Sequence, residues 1–526
     1  MILIMSSALI ESELQSEFGP IPPAFLPVGN KRLFEQQVAS LPKNEDVVLT
    51  LSEEYQLEHH DQNRLESLGV EVLRLPSGLS LGEAVLYAIN LLALPEEEGL
   101  KLLHGDTLFS QLPKGLDLVS LSEVADAYDW AIYQDASTTL LGSFNPDQED
   151  ISTWVASGYF AFSKPRELSR ALTESRFGFI DAVNLYHQRV GLNPIKIDQW
   201  LDFGHVHTYY RSKSKMTTQR AFNQMIITSR TVTKKSYKSE KMKAEANWFK
   251  KLPPEIKSFT PQLLDVLDAD DAVGYQIEYL HLTALNELFT FGELPPFVWR
   301  RILLACLDFV DSCIEYLAPR DINVAKMSSL FGVKTEQRLQ EYAIQTELNL
   351  DTPWVFNGQT LPGLRQILSK VDNYLPNTNT VATWYHGDLC FSNILFDFRT
   401  GSVKVIDPRG ITPEGEISPY GDIRYDIAKL SHSVIGRYDV IIAGYFKLVW
   451  QPYNVEISLA KSSRMDSIET YFTRLIEQRY GLNKANLLAM QVHLFLSMLP
   501  LHSDNPKRQQ ALMANALRLF SKLEEF

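Results

Sequence analysis

Apolar and polar positions alternate in two different ways along the chain, and the change falls near residue 210. Before it, short apolar runs rich in β-branched residues lie at residues 2–5, 46–51, 70–75, 100–104 and 130–133, with helical periodicity at 33–41 and 81–93. Strands that alternate with helices predict an α/β fold with a mostly parallel, doubly wound sheet. Ligands of such a sheet bind beyond the carboxyl ends of its strands.

The pattern after residue 224 predicts a different fold. Residues 211–224 are basic and polar without an apolar period, which predicts a linker. Strand patterns near 225–234 and 275–280 flank a charged helical pattern at 239–251, and long helical patterns follow. We therefore expect domains at 1–210 and 225–526, the second with a small β-rich lobe (about 225–280) and a helical lobe (about 281–526).

Composition and charge exclude several classes of protein. The 50 Lys and Arg residues against 64 Asp and Glu give a net charge of −14, which argues against nucleic acid as a partner. Three scattered cysteines fit a reducing compartment and no disulfide framework. No signal peptide or integral membrane segment is evident, so we expect a cytoplasmic protein. A homo-oligomer remains compatible with the sequence.

The most informative segment is WYHGDLCFSNILF at 384–396, followed by VKVIDPRG at 403–410. Phosphoryl transfer from ATP to an alcohol needs a carboxylate beside the acceptor hydroxyl and oxygen ligands for Mg²⁺. Asp388, Asn393 and Asp407 supply these groups. The apolar residues at 394–396 and 403–406 predict a β-hairpin that returns Asp407 to the neighbourhood of Asn393.

This segment resembles the catalytic segment of the aminoglycoside phosphotransferase and choline kinase family, which shares the two-lobed protein-kinase-like (α+β) fold. The resemblance implies that Asp388 is the catalytic carboxylate and that Asn393 and Asp407 are Mg²⁺ ligands. It also implies ATP as the phosphate donor and a small alcohol or sugar as the acceptor. For an isolated His-x-Asp pattern, a loop hydrogen bond is the simpler explanation.

A kinase-like lobe also needs a lysine that grips the α- and β-phosphates and an acid that holds this lysine. Lys234 and Lys235 lie on a predicted strand, and Glu245 lies on the helix that follows. Alternation along the strand favours Lys234, with Lys235 as the close alternative. A solvated basic stretch is the simpler interpretation of these lysines when they are taken alone.

Further positions of the second domain are assigned from the same resemblance. Residues 276–280 resemble the hinge between lobes, where backbone groups of Glu278 and Leu280 would meet adenine. Residues 221–232 contain no glycine, so a glycine-rich phosphate loop is missing. Asp422 and Asp426 lie one helical turn apart, and they either face the acceptor pocket or cap and pair locally.

Two acids of the first domain suggest a second metal site. Asp106 ends a buried strand in LLHGDTL, and Asp202 lies in QWLDFGH. Two carboxylates brought together can hold a Mg²⁺ that aligns a nucleoside triphosphate. With residues 27–33 and 157–162, these segments resemble the sugar-phosphate nucleotidyltransferase family, a Rossmann-like fold, over about 1–210. The resemblance implies Asp106 and Asp202 as metal ligands and CTP or UTP as the nucleotide.

The first domain also departs from that family. The loop after the first strand, residues 6–17, contains three acids and no glycine, although a glycine-rich basic loop cradles the triphosphate in the family. Ala24 stands where the family has a lysine, and Lys31 replaces only part of the lost charge. An active nucleotidyltransferase and a substrate-binding or structural remnant both stay open.

Together these features predict a cytoplasmic kinase of an amino alcohol or sugar, fused to a nucleotidyltransferase-like domain. The combination resembles bacterial capsular polysaccharide biosynthesis fusion proteins. The alternatives are a catalytically degenerate nucleotide- or metabolite-binding protein with a regulatory or assembly role, and an antibiotic-modifying kinase.

Overall fold

The computed structural model describes residues 1–95, 98–124, 128, 130–134, 139–143, 153–216, 223–236, 239–269, 272–319, 329–376, 381–412, 415–460 and 462–526. The chain divides into two compact units. Unit 1 comprises Met1–Met216 with Phe291–Glu293, and unit 2 comprises Thr217–Thr290 with Leu294–Phe526.

Unit 1 is built on a mixed β-sheet. Its main strands lie in the spatial order Asn193–Lys196, Leu118–Val124, Thr153–Phe162, Leu100–His104, Ile2–Met5, Val47–Ser52, Val70–Leu75. The last four are mutually parallel, as the alternating pattern predicts. Thr153–Phe162 is antiparallel to both neighbours, and Asn193–Lys196 pairs parallel with Leu118–Val124, so six of these seven strands run in the same direction. The sheet is mixed but mostly parallel, as predicted, with one antiparallel strand inserted. Short strands Ile132–Tyr133 and Leu141–Gly142 extend it, and Thr107–Phe109 pairs separately with Trp200–Asp202.

Helices of unit 1 pack apolar faces against this sheet. They span Ser12–Phe18, Leu33–Ser40, His59–Ser67, Leu81–Leu92, Pro165–Glu174, Phe179–Arg189 and Val206–Lys215. Leu81–Leu92 begins at a capping box, in which Ser80 N–H donates to Glu83 at 2.8 Å and Ser80 Oγ accepts from Glu83 N–H at 3.3 Å. Val85 and Ala88 are fully buried in the core below it. The predicted helices at 33–41 and 81–93 are thus confirmed within a residue.

The predicted start of the linker, at residue 211, lies inside a helix of unit 1. Residues 211–215 continue the helix Val206–Lys215, and Ser212 Oγ donates a hydrogen bond to the carbonyl of Asp202 at 2.7 Å. Tyr209 and Tyr210 are buried on the same helix. A serine whose hydroxyl donates to a backbone carbonyl can be buried within a helix. The polar composition of these residues therefore gave no sign of the helix. Residues 217–222 lie outside the described residues.

Unit 2 begins with an antiparallel sheet and continues with helices. The sheet has the order Asn223–Ile227, Thr231–Ser236, Ala272–Glu278, Leu263–Ala269. The helices from residue 239 onwards span Ser239–Lys250, Pro254–Lys257, Leu285–Phe291, Pro296–Ile314, Lys334–Thr346, Leu364–Asp372, Ile423–Val434, Tyr438–Ile442, Ser463–Tyr480, Lys484–Ser497 and Pro506–Leu523. This order matches the predicted β-rich and helical regions.

Short strands connect and support the helices of unit 2. Thr283–Ala284 pairs with the hairpin Ile394–Asp397 and Ser402–Val405, and Thr383–Trp384 pairs with Tyr420–Gly421. A further sheet contains the strands Gln359–Leu361, Trp354–Phe356, Asn454–Leu459 and Phe446–Gln451. All three cysteines are buried. In the described part of the chain, no helix combines the length and the apolar character that crossing a bilayer requires.

Candidate functional site

The hairpin after residue 393 places Asp407 beside Asn393. Ile394 pairs with Val405 across the hairpin, and Ile406 N–H donates to the Asn393 carbonyl at 2.9 Å. The predicted hairpin is therefore confirmed. Asp407 itself has a positive φ of 57°, a left-handed conformation that aspartate adopts more readily than most other residues. Its carboxylate remains 44% exposed.

Lys234 joins the two parts of unit 2 at this carboxylate. Its Nζ donates to Glu245 at 2.7 Å and to Asp407 at 3.1 Å. Tyr275 OH donates to the same Glu245 carboxylate at 2.8 Å. Lys235 pairs with Gly274 in the sheet and lies on the other face of the strand. Of the two candidate lysines, Lys234 is the one that contacts acidic partners expected of a phosphate-binding lysine.

Burial and charge act in opposite directions on this ion pair. Burial would lower the pKa of Lys234, but the carboxylates of Asp407 and Glu245 outweigh it and raise the pKa. Burial raises the pKa of Glu245 despite the stabilising charge of Lys234. Lys234 therefore carries a full positive charge at neutral pH, in a position that is only 8% exposed.

Asp388 is held in an ionised state. Its Oδ1 lies 2.9 Å from Lys429 Nζ, and Asn393 Nδ2 donates to the Asp388 carbonyl at 2.9 Å. Burial would raise the pKa of Asp388, but the Lys429 ammonium outweighs it and lowers the pKa to about 2. The side chain is 43% exposed. Lys429 could not be predicted from the sequence, because it lies on a separate helix and has no fixed spacing from the motif.

His386 and Asp426 hold the loop that carries Asp388. His386 is fully buried; its Nε2–H donates to the Ile406 carbonyl at 2.9 Å, and its Nδ1 accepts from Asp388 N–H at 3.2 Å. Burial lowers its pKa to about 4, so the ring is neutral. The Asp426 carboxylate accepts from the N–H groups of His386 and Gly387 at 2.7 and 2.8 Å. Burial raises the pKa of Asp426 to about 7.

Neither of the two predicted acceptor-binding acids faces an open pocket. Asp422 caps the helix Ile423–Val434 and pairs with Arg424 at 2.7 Å, and it is 2% exposed. Asp426 is fully buried under the loop. The substrate role proposed for Asp422 and Asp426 is corrected accordingly, and the local alternative describes both. Spacing along a helix does not distinguish a carboxylate that lines a pocket from one that accepts backbone hydrogen bonds.

The Asp426 contacts lead to a first testable prediction. We expect Asp426→Asn to lower kcat with little change in the acceptor KM, because one of the two backbone N–H groups loses its acceptor and the Asp388 loop shifts. The expected loss of stability is about 1–3 kcal/mol. Urea unfolding and steady-state kinetics measure both. Asp422→Ala is the comparison: we expect it to lose the helix cap, about 0.5–2 kcal/mol, together with the ion pair with Arg424, and to leave the Asp388 loop in place. A raised acceptor KM with unchanged kcat in Asp426→Asn would instead indicate acceptor binding.

The predicted hinge is only partly free to contact a ligand. The N–H of Glu278 donates to the Gln262 carbonyl at 2.9 Å, and the Leu280 carbonyl accepts from Leu282 N–H at 2.9 Å. Tyr279 N–H donates to the Arg230 carbonyl at 2.8 Å. The Glu278 N–H, the Tyr279 N–H and the Leu280 carbonyl are thus already paired within the protein. That backbone groups of Glu278 and Leu280 meet adenine stays a prediction for the Glu278 carbonyl and the Leu280 N–H.

The oxygen donors near Lys234 fit Mg²⁺. Asp407 presents a partly exposed carboxylate, and Asn393 directs its Nδ2 to the Asp388 loop, so its amide oxygen points the other way. Mg²⁺ binds one or two protein oxygens together with phosphate oxygens and water. Within the described ranges, no three His, Cys, Asp or Glu side chains form a metal-binding group. A metal held here would therefore depend on the phosphates of a nucleotide.

Unit 1 brings Asp106 and Asp202 together. The strands Thr107–Phe109 and Trp200–Asp202 pair antiparallel, and Phe203 N–H donates to the Asp106 carbonyl at 2.8 Å. Both carboxylates crowd Gly204, where an added Cβ would lie 2.8 Å from Asp106 Oδ2 and 3.4 Å from Asp202 Oδ1. Burial, followed by the charge of Asp202, raises the pKa of Asp106 to about 7. Adjacent carboxylates that repel each other form a donor set that suits a divalent cation.

The described residues around this acid pair provide little positive charge for binding a triphosphate. His205 Nδ1 lies 3.2 Å from Asp202, and His205 Nε2 lies 3.5 Å from Glu11, which adds a third acid from the loop after the first strand. Ala24 is fully buried. Arg32 is also buried and forms an ion pair with Asp61 at 2.7 Å. The positive charge typical of the resembling family is therefore not concentrated here in the described residues.

A metal titration tests the acid pair directly. In EDTA we expect Asp106→Asn to unfold at a higher temperature than the wild type above neutral pH, because the mutation removes carboxylate repulsion. Added Mg²⁺ is expected to stabilise the wild type and to have a smaller effect on the variant. The exposed Asp46, changed to Asn, is the control. Equal Mg²⁺ effects in all three proteins would contradict a metal site at Asp106 and Asp202.

The sequence matches no protein-family model and no curated protein. Among solved structures, the chain is similar to a thermostable variant of the aminoglycoside phosphotransferase APH(4)-Ia in complex with AMP-PNP and hygromycin B, at 13% identity and a TM-score of 0.37 over 58% of this chain and 92% of that one. It is also similar to spectinomycin phosphotransferase APH(9)-Ia in complex with ADP and spectinomycin, at 10% identity and a TM-score of 0.33 over 59% and 87%.

A third solved structure belongs to a different class of enzyme. It is the inositol-1-phosphate CTP transferase from T. maritima, at 18% identity and a TM-score of 0.31 over 42% of this chain and 97% of that one. The structural neighbours of this mixed α/β protein therefore include small-molecule phosphotransferases. Similarities at these identities and TM-scores carry no conclusion about its function.

Proposed function

We propose that unit 2 transfers a phosphoryl group from ATP to the hydroxyl of a small molecule. One observation carries this proposal: Lys234 Nζ, held by Glu245, lies 3.1 Å from Asp407, which the hairpin sets beside Asn393 and the Asp388 loop. The small sheet and the helical region thereby contribute complementary groups to one place. A lysine for the phosphates, oxygens for a metal and an ionised carboxylate make up the set that this chemistry needs.

Each residue has one role in the proposed reaction. Lys234 binds the phosphates of ATP, and the oxygens of Asn393 and Asp407 would hold Mg²⁺, which supplies charge neutralisation on the triphosphate. Asp388 orients the acceptor hydroxyl and takes its proton as the oxygen attacks the γ-phosphorus. The bond from the γ-phosphorus to the bridging oxygen breaks, and ADP leaves. Because the Asp388 pKa is about 2, this carboxylate is ionised at neutral pH and can accept a hydrogen bond from the acceptor hydroxyl, whose proton it takes only as the bond to phosphorus forms.

For unit 1, the approach of Asp106 to Asp202 supports a metal-dependent role with a nucleotide such as CTP or UTP, acting on the phosphorylated product of unit 2. Making activated precursors for capsule or other surface polysaccharide in the cytoplasm is the setting that fits such a pair of reactions. This wider assignment rests on the resemblances and on chemical logic.

The test is acceptor-dependent release of ADP by the full-length protein with Mg²⁺ and pooled amino alcohols, sugars, polyols, sugar acids and aminoglycosides. Turnover that requires both Mg²⁺ and an acceptor is expected, and division of the active pool identifies the acceptor. Binding of Mg·AMP-PNP without turnover in any pool would favour the catalytically degenerate alternative. Preferential turnover of an aminoglycoside would favour the antibiotic-modifying alternative.

A further inference from the structure

Four cationic side chains interact electrostatically with one another near Asp388, and we call them the cation cluster: Lys334, Arg338, Arg409 and Lys429. Lys334 and Arg338 lie one turn apart on the helix Lys334–Thr346, and each of the four side chains is partly buried. None of them belongs to the ATP-binding or metal-binding groups described above. Positively charged side chains are seldom buried together, so four of them at one place are unusual.

The ring of Tyr425 contacts two members of the cation cluster. The Arg409 guanidinium carbon lies 5.7 Å from the ring centroid, and Lys429 Nζ lies 5.9 Å from it. Phe331, just before the helix of Lys334, packs 5.6 Å from the same ring. Lys429 Nζ also lies 2.9 Å from Asp388 Oδ1. The geometry therefore places cationic and aromatic groups directly beside the proposed proton acceptor.

In the part of the chain that the structure describes, few acidic groups compensate the positive charge of the cation cluster. Arg338 donates to the Ser497 carbonyl at 3.1 Å, and Arg409 interacts with the Tyr425 hydroxyl. Within the described ranges, no carboxylate forms an ion pair with Lys334, Arg338 or Arg409. Glu341 acts on Arg338 only at longer range, and Asp388 is already paired with Lys429. Among the described residues, Asp388 is thus the one carboxylate that forms an ion pair with a member of the cation cluster.

The repulsion between the like charges of the cation cluster affects the protonation of Lys334. Burial, followed by the charges of Arg409, Arg338 and Lys429, lowers the pKa of Lys334 to about 7, and Asp388 opposes the shift only in part. Partly buried like charges without a counter-ion destabilise the folded protein. Such a cost is commonly retained where a ligand of opposite charge binds.

We propose that the acceptor alcohol carries an anionic group, a carboxylate or a phosphate, which the cation cluster binds while Asp388 receives the hydroxyl proton. This inference rests on the proposed phosphotransferase function and specifies its acceptor. Phosphate and carboxylate both suit the planar guanidinium groups of Arg338 and Arg409. A cationic acceptor such as choline or an aminoglycoside would meet repulsion here, so the site disfavours the antibiotic-modifying alternative.

A binding experiment tests the charge preference without any turnover. The nucleotide site is filled with Mg·AMP-PNP, and the unfolding temperature is followed as inorganic phosphate is added. Phosphate is expected to stabilise the wild type, with its Kd raised roughly ten- to hundred-fold in Lys334→Met and Arg338→Met. Lys370→Met, which removes a lysine paired with Glu524, is the matched control and should respond like the wild type. Phosphate stabilisation that is missing, or equal in all variants, would overturn the proposal.

Paired acceptors test the same idea in turnover. Glucuronate is compared with glucose, and glycerol 3-phosphate with glycerol, with glucosamine and choline as cationic members. Higher kcat/KM for the anionic member, lost in Lys334→Met and kept in Lys334→Arg, would support the proposal. Preference for a neutral or cationic acceptor would overturn it and leave the phosphotransferase function standing. No turnover with any acceptor would count against that function, while the phosphate titration would still decide the charge preference.

The pH profile gives a further readout in this test. Because the pKa of Lys334 is about 7, kcat/KM for an anionic acceptor is expected to fall as pH rises through that value and Lys334 loses its charge. Arg338, Arg409 and Lys429 stay protonated over this range. Lys334→Arg is expected to remove this basic limb and keep activity. An unchanged limb in Lys334→Arg would assign it to another group and contradict the role of Lys334.

Discussion

Replacing Asp388 by asparagine is expected to lower kcat by about 10²–10⁴-fold, the usual contribution of a positioned general base. Asparagine preserves the shape of the side chain and can still accept a hydrogen bond from Lys429. It cannot take up the proton of an acceptor hydroxyl. Affinity for Mg·AMP-PNP should stay near the wild-type value, because Lys234, Glu245 and Asp407 are unchanged. ADP release at saturating acceptor and AMP-PNP binding measure the two quantities separately.

The matched control is Asp504→Asn, which changes a 68% exposed aspartate paired with Arg508 on the surface of the same unit. We expect it to have wild-type turnover. Unchanged kcat in Asp388→Asn would reject Asp388 as the proton acceptor. Equal loss of nucleotide binding and turnover would indicate that the mutation disturbs the nucleotide site and would leave the role of Asp388 as a base unsupported.

The parts of the site that lie close together in the sequence could be predicted from it. Asn393, the hairpin and Asp407 occupy fifteen consecutive positions, and period-2 alternation with a turn is sufficient to bring the ends together. Lys234 was favoured over Lys235 for the same reason, since alternation along one strand decides which side chain is buried. Local patterns of this kind do not depend on how distant elements pack.

Contacts between distant elements could not be predicted in this way. Lys429 meets Asp388 from another helix, and Lys334 and Arg338 lie about fifty residues before the motif. From the sequence, an acceptor contact and a local contact explain Asp426 equally well, and only its two hydrogen bonds to backbone N–H groups distinguish them. Sequence patterns show which side of a helix is polar, but they do not show which polar side chain meets a backbone donor or a ligand.

The sheet of unit 1 illustrates the same limit. Alternation of strands and helices correctly predicted the parallel strands from Ile2–Met5 to Val70–Leu75. It did not predict that Thr153–Phe162 would insert antiparallel between Leu100–His104 and Leu118–Val124. Parallel and antiparallel strands that are buried on both faces have similar apolar runs, so composition does not reveal direction.

Replacing Lys234 by methionine is expected to impair both stability and catalysis. Glu245, 1% exposed, would keep only Tyr275 and the more distant Lys241, at 3.6 Å, as partners. Removing one member of a buried ion pair costs about 3–5 kcal/mol. This deficit should shrink as pH falls, because Glu245 without Lys234 has a raised pKa and takes up a proton. The loss of the phosphate-binding cation should lower kcat by about 10²–10³-fold.

A double variant separates these two effects. Lys234→Met combined with Glu245→Gln removes both charges, and Tyr275 can still donate to the amide oxygen, so we expect most of the lost stability to return while activity stays low. Urea unfolding and ADP release measure the two outcomes. Lys235→Met, on the opposite face of the same strand, should resemble the wild type in both assays. If activity returns together with stability in the double variant, Lys234 serves the fold alone. If Lys235→Met loses activity and Lys234→Met does not, the phosphate-binding role belongs to Lys235.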